Sequence, residues 1–270
     1  MASPTVGSGR SDVVIEIGGF AVRLSVDDPA FLKLLEERYA GFVTSSSNAR
    51  FELTVDLAAS TMPSTEDVRV LWDSERWLME RGDFRAEWDP SAGCGRIRQT
   101  ANPYSIDSVL RILHTLLLAK ERGFLVHAAS VVRNGRAFLF AGLSGAGKTT
   151  IATLAPPDVT LLTDEISYVR RHQDQYVAFG TPFTGELARL GENLRAPLAA
   201  IYLLAKGPEN TIEPVGLADA SRALLRNILF FARDPQLVTL VFQAACDVVC
   251  RVPVHRLTFA PDARVWELIG

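Results

Sequence analysis

Leu125-Val126-His127-Ala128-Ala129-Ser130-Val131-Val132, then Asn134-Gly135, then Ala137-Phe138-Leu139-Phe140-Ala141, then Gly142-Leu143-Ser144-Gly145-Ala146-Gly147-Lys148-Thr149: this run decides the fold. Two β-rich runs flank Asn134-Gly135, the strongest short hairpin signal, because both residues tolerate the positive φ of a tight turn. A two-residue loop puts Val132 opposite Ala137, Ser130 opposite Leu139 and His127 opposite Gly142. A slip of one residue turns His127 to the other face. His127 is then expected beside the start of residues 142–149, either in reach of a bound phosphate or of Asp164, or simply capping the strand end.

Residues 142–149 match G-x-x-x-x-G-K-[ST] in full, in the required context of a strand before and a helix-compatible segment (149–154) after. Glycines let the backbone curl so that successive amides point at phosphate oxygens. The expected contacts are Gly142, Ser144, Gly145, Ala146, Gly147, Lys148, Thr149 and Thr150. Lys148 reaches the β and γ phosphates and Thr149 ligates magnesium. ATP and Mg2+ are therefore the expected ligands.

The next apolar strand, Val159-Thr160-Leu161-Leu162, ends in Thr163-Asp164-Glu165. An acid at a strand end in the sheet of the phosphate loop is the usual second half of such a site. Pro156-Pro157 keeps the intervening helix short. Further on, Thr181-Pro182-Phe183-Thr184-Gly185 bends the chain after the strand 176–179 and presents Glu186. That acid is read either as a metal ligand or as the first residue of a helix over 186–190. Arg189, Arg195 and Arg226 are candidate phosphate clamps, each equally readable as a surface residue.

Around this core, 12–102 reads as a β-rich lobe. Gly18-Gly19 separates the alternating runs 13–17 and 20–24, 29–39 suits a helix, and 51–55, 77–80 and 84–88 suit strands. Residues 58–66 read as a loop and Arg81-Gly82-Asp83 as a turn. From Ser105 the period becomes helical, with Ile106, Val109, Leu110, Leu113, Leu116 and Leu117 on one face. The expected organisation is a disordered tail 1–11, the lobe 12–102 and a catalytic domain 103–270.

Composition limits the partners. Of 270 residues, 48% are hydrophobic and the net charge is −3, so no basic excess serves a nucleic-acid backbone. No apolar run reaches the roughly 18 to 20 residues of a membrane span. The Ser/Gly-rich start has no apolar signal core, so a cytoplasmic location is expected. Cys94 stands alone. Cys246 and Cys250, one helical turn apart, read as buried small hydrophobes rather than a metal or redox pair.

Taken together, Val126-His127-Ala128-Ala129, residues 142–150, Leu161 to Glu165 and Gly180 to Glu186 resemble the HPr kinase/phosphorylase family. The likeness is strongest to its shorter members that include peptide kinases of lasso-peptide-type clusters. Val252-Pro253-Val254 and Val265-Trp266-Glu267-Leu268-Ile269 also look like that subgroup, and the likeness spans roughly 103–270. It implies an α/β P-loop kinase core related to phosphoenolpyruvate carboxykinase, with a mixed sheet. It further implies catalytic roles for Asp164 and His127 beside Lys148, and metal contacts from Thr149, Asp164, Glu165 and Glu186. Glu165 stands where the family usually has a second Asp. The long Gly-rich signature of true HPr kinases is not recognisable.

The resulting expectation is a kinase that transfers the γ-phosphoryl group of ATP to a serine hydroxyl of a peptide or small protein. The alternatives are a nucleotide-binding regulatory or assembly NTPase and a kinase for a small-molecule hydroxyl. No nucleic acid and no membrane are expected as partners, and a homo-oligomer is left open.

Overall fold

The computed structural model describes residues 10–45, 49–59, 67–185, 187 and 190–270. The chain is mixed α/β with two mixed sheets, and it divides into two compact units, Met1–Leu110 and Arg111–Gly270. Among the described residues, no helix is long and apolar enough to cross a membrane.

The first unit holds β1 (Ser11–Ile17), β2 (Phe20–Val26), α1 (Pro29–Arg38), β3 (Phe51–Leu57), β4 (Arg69–Asp73), β5 (Arg76–Arg81), β6 (Phe84–Asp89) and β7 (Cys94–Gln99). They form a seven-stranded sheet in the order β1-β2-β3-β7-β6-β5-β4. The expected hairpin is present: Ile17 pairs with Phe20 across Gly18-Gly19, whose φ values are 61° and 81°. α1 carries the crossover that lets β3 run parallel to β2. Asp28 caps it by accepting from the Phe31 amide at 2.8 Å. Phe20, Val22, Leu24, Phe51, Leu53 and Trp88 lie on the buried face.

Two strands of this sheet carry weak signals. The β4–β5 turn is Ser74-Glu75, with φ of 48° and 64°, so no glycine announces it. β7 is Cys-Gly-Arg-Ile-Arg-Gln, in which Ile97 is the one large apolar side chain. Near the N-terminus, Ser11 belongs to β1 and the Arg10 guanidinium pairs with Asp27 and Asp56, so these two residues of the expected tail are part of the sheet's surroundings. Residues 1–9, and most of the loop expected over 58–66, lie outside the described residues.

α2 (Pro103–Lys120) contains the division between the units. Ile112, His114, Thr115 and Leu118 are buried as well as the expected stripe, so its second half is covered nearly all round.

The second unit holds β8 (Gly123–Arg133), β9 (Arg136–Ala141), α3 (Lys148–Thr153), β10 (Thr160–Thr163), β11 (Ile166–His172), β12 (Gln175–Phe179), β13 (Arg195–Lys206), β14 (Thr211–Pro214), α4 (Leu217–Leu225), β15 (Ile228–Leu229), α5 (Pro235–Arg251) and β16 (Val254–Phe259). β8 is the spine of a nine-stranded mixed sheet. Its first half pairs with β11 and β15, its second half with β10 and β9. β9 is in turn parallel to β13, and β13 to β16.

A core of Phe138, Phe140, Ile151, Tyr202, Leu257 and Trp266 packs on the α3 side of this sheet. Phe140 stacks on Tyr202 at 5.4 Å and meets the edge of Trp266 at 5.6 Å. Arg133, beside the β8–β9 turn, donates to the Trp266 carbonyl at 2.8 Å and so ties the C-terminal 3-10 turn (Ala263–Glu267) to the hairpin.

One smaller expectation changes. Cys250 and Cys94 are exposed and Cys246 is partly so, because α5 turns its other face, with Ala244, Ala245 and Val248, inward. On β11, Arg170 lies over the Phe179 ring at 5.1 Å, and Arg171 pairs with Asp174 and Asp247.

His114 is fully buried, edge-on to Tyr168 at 5.6 Å, and burial pushes its pKa down to about 3. The unfolded chain takes up this proton below its ordinary value of 6.5, whereas the folded chain refuses it until about 3. Stability from this residue is therefore complete above 6.5 and is lost as pH falls between those values. His114→Phe should lose about 2 kcal/mol less than the wild type between pH 7 and pH 5, read from urea midpoints at the two pH values.

Candidate functional site

The site grows from the β8–β9 register. Arg133 pairs with Arg136 across Asn134-Gly135, and the ladder continues through Val132↔Ala137 and Ser130↔Leu139 to Ala128↔Ala141. The next residues along are His127 and Gly142. Here β8 changes partners: His127 pairs with Ile166 of β11, and its amide donates to the Asn227 carbonyl at 2.7 Å.

β10 lies on the other side of β8, with Thr163 opposite Ser130, and is antiparallel to it as β9 is. β9 and β10 therefore run in the same direction and end at the same level of the sheet. The 142–149 loop leaves one, Asp164-Glu165 leaves the other, and His127 stands on the strand between them.

The loop itself is tight. Gly147 has φ of 108°, and a Cβ there would lie 2.8 Å from the Phe259 ring, so no other residue fits. The Ala146 amide donates to the Leu143 carbonyl at 3.0 Å. Lys148 Nζ donates to the carbonyls of Gly142 at 2.8 Å and Leu143 at 3.2 Å, which holds its ammonium across the loop. α3 is a six-residue helix, as the short spacing to Asp164 requires.

Asp164 is 2% exposed. Its two oxygens accept the backbone amides of Gly185 at 2.9 Å and Leu187 at 3.0 Å. The carboxylate thus fastens the bend after β12 to the end of β10. Gly185 is needed for this approach, since a Cβ there would come within 2.9 Å of the Glu165 Cβ and 3.0 Å of the Asp164 carboxylate. Glu165 has a different partner: Arg111 lies 3.9 Å from its carboxylate and over the Phe183 ring at 5.0 Å.

These groups surround one cavity of about 670 Å³. His127, Asp164, Glu165 and Thr150 line it together with Gly142, Ser144, Gly145, Gly147, Lys148 and Thr149. Ala146 does not. Arg226 lines it, whereas Arg195, at the exposed start of β13, does not. Glu186 and Arg189 lie outside the described residues, as does most of the helix expected over 186–190.

Sequence reading missed Lys206, Asn227 and Gly185 on the wall. Lys206 ends β13, the parallel neighbour of β9, so its place follows only once the strand order is known. Lys206 and Arg226 make no ion pair among the described residues.

The cavity thus carries three cations, Lys148, Lys206 and Arg226, against two carboxylates. His127 has its pKa lowered, first by burial and then by the charges of Lys148 and Arg111. Among the described residues, no three or more His, Cys, Asp or Glu side chains are grouped to hold a metal by themselves. Asp164 and Glu165 suit a hard cation that takes its remaining ligands from phosphate and water, as magnesium does.

A family model described as SynChlorMet cassette protein ScmC matches residues 98–270. The chain belongs to the ScmC family. The ScmC match contains every residue that lines the cavity. No curated protein matches the chain. Among solved structures, the Hpr(Ser) kinase/phosphatase from Coxiella burnetii is similar at 11% identity and a TM-score of 0.27, over 50% of this chain and 84% of its own.

Two outcomes are expected. The His127 imidazole should titrate below 6.5 by NMR, and Lys148→Met should move its midpoint upward while leaving the larger burial effect in place. Asp164→Asn turns one acceptor oxygen into a donor facing an amide, at a cost of roughly 1–3 kcal/mol. Hydrogen exchange at the Gly185 and Leu187 amides should then accelerate, with exchange in the β8–β9 ladder unchanged.

Proposed function

We propose that the chain is a phosphotransferase that uses a nucleoside triphosphate, ATP, and transfers its γ-phosphoryl group to a serine hydroxyl of a peptide or small protein. One observation carries this reading: a complete phosphate-loop sequence, a buried carboxylate and a histidine whose pKa is lowered by burial converge on one cavity.

Phosphoryl transfer depends on positioning and charge neutralisation more than on covalent chemistry. In this reading the amides of residues 144–149 hold the phosphates. The Lys148 ammonium leaves the Gly142 and Leu143 carbonyls for the β and γ oxygens. Lys206 and Arg226, which line the same cavity, offset the remaining charge. Thr149 with Asp164 or Glu165 would hold a magnesium ion, which would supply charge neutralisation to the phosphates.

Asp164 is also the candidate base. Each of its oxygens keeps a lone pair beyond the amide it accepts, so it can take an acceptor proton without releasing the 185–187 segment. His127, with its lowered pKa, offers a neutral nitrogen to the incoming hydroxyl or to the transferring group.

Lys148→Ala should abolish ATP binding, measured by calorimetry, while circular dichroism stays unchanged; wild-type affinity would remove the loop from the account. Asp164→Asn should keep ATP affinity within a few-fold but slow transfer to serine peptides by about 10² or more. A wild-type transfer rate would exclude Asp164 from the chemistry.

A further inference from the structure

Arg226 belongs to two cavities. It lines the one that holds Lys148 and Asp164, and it also lines a second of about 270 Å³. The second is walled by Arg222, Arg226, Arg256 and Asp219, with Leu203 and Val215 contributing apolar surface. Arg222 sits in the last turn of α4 and Arg226 caps that helix. Arg256 sits on β16, in register with Leu203 of β13.

The charges there do not cancel. Asp219 is already engaged by Arg222, which also donates to the Ala218 carbonyl. Arg226 and Arg256 form no ion pair or side-chain hydrogen bond among the described residues. Glu213 stands directly across the β14–β16 ladder from Arg256, and no ion pair joins them. Two guanidinium groups are therefore left facing one small space in a chain whose net charge is −3. Both residues are exposed, so water screens their mutual repulsion and leaves both guanidinium groups available to a ligand of the opposite sign.

We propose that this second cavity is a recognition subsite for acidic side chains that flank the accepting hydroxyl of a peptide substrate. The inference rests on the phosphotransfer reading and narrows it to acidic peptides. A guanidinium fork matches a carboxylate in a two-bond, planar arrangement that an ammonium cannot reproduce. A nucleoside site would be expected to be mainly apolar with a few polar groups, whereas three arginines dominate this space. Arg226 lies on the shared wall, so an acidic residue seated on it and Arg256 brings the neighbouring hydroxyl to the mouth of the Asp164 cavity. Arg256 makes no contact with that cavity and can be changed without touching the residues assigned to phosphate.

The test uses the full chain and three fluorescent peptides that differ only in the residues flanking one serine: aspartate, alanine or lysine. Binding is read by anisotropy, ATP affinity by calorimetry, and transfer separately. The aspartate peptide should bind about tenfold more tightly than the alanine peptide. Arg256→Ala should remove most of that preference, and Arg256→Glu should shift it towards the lysine peptide. ATP affinity should remain at the wild-type level in both variants.

Equal binding of the three peptides, or a preference that survives Arg256→Glu, overturns the proposal. So does a parallel fall in ATP affinity, which would assign the space to the nucleoside. If wild type binds the aspartate peptide selectively through Arg256 but transfers no phosphoryl group, the subsite stands and the phosphotransfer reading fails.

Discussion

The pairing of β8 with β9 across Asn134-Gly135 is the constraint on which the second unit depends. Both turn residues have positive φ, 51° and 71°, so the turn is two residues long and the ladder has one register. That register sends Phe138 and Phe140 to the α3 side, where Tyr202 and Trp266 close over them. A shift by one residue would turn those rings to the opposite face and move His127 away from the loop. The same pairing that builds the core therefore also aligns the residues around the cavity.

The second half of the arrangement comes from β8 having partners on both sides. β9 and β10 flank it in the same direction, so the 142–149 loop and Asp164 leave the sheet at one end without being close in sequence. The bend after β12 returns to this end because the Asp164 carboxylate accepts two of its amides. A carboxylate buried in this way is a structural fastening first. In the proposed reading it is a reacting group as well, so loop order and chemistry would respond together when it is changed.

Much of this was legible in the residues. Asn-Gly, the Gly-rich loop and the acid after an apolar strand are local signals, and each lies where its own turn or strand requires. The Gly18-Gly19 hairpin and α1 were readable for the same reason. What escaped notice depends on long-range order or on turns without glycine. Lys206 and Asn227 reach the wall only because β13 lies beside β9 and β15 beside β8, and no sequence spacing encodes those pairings. β4 was hidden by a Ser74-Glu75 turn, and β7 by its charged exposed face. Cys250 is exposed and Cys246 half-buried; residue type alone does not tell which face of α5 is buried.

The central claim is that one end of the β8–β9–β10 arrangement receives a triphosphate. Backbone amide shifts of the full chain, followed by NMR as a non-hydrolysable ATP analogue and magnesium are added, test this most directly. The account predicts that the largest changes fall on residues 144–150, on His127, on 164–165 and near Lys206, with little change in the first unit's sheet. A titration that leaves 144–150 unmoved, or moves only residues remote from this cavity, would contradict it.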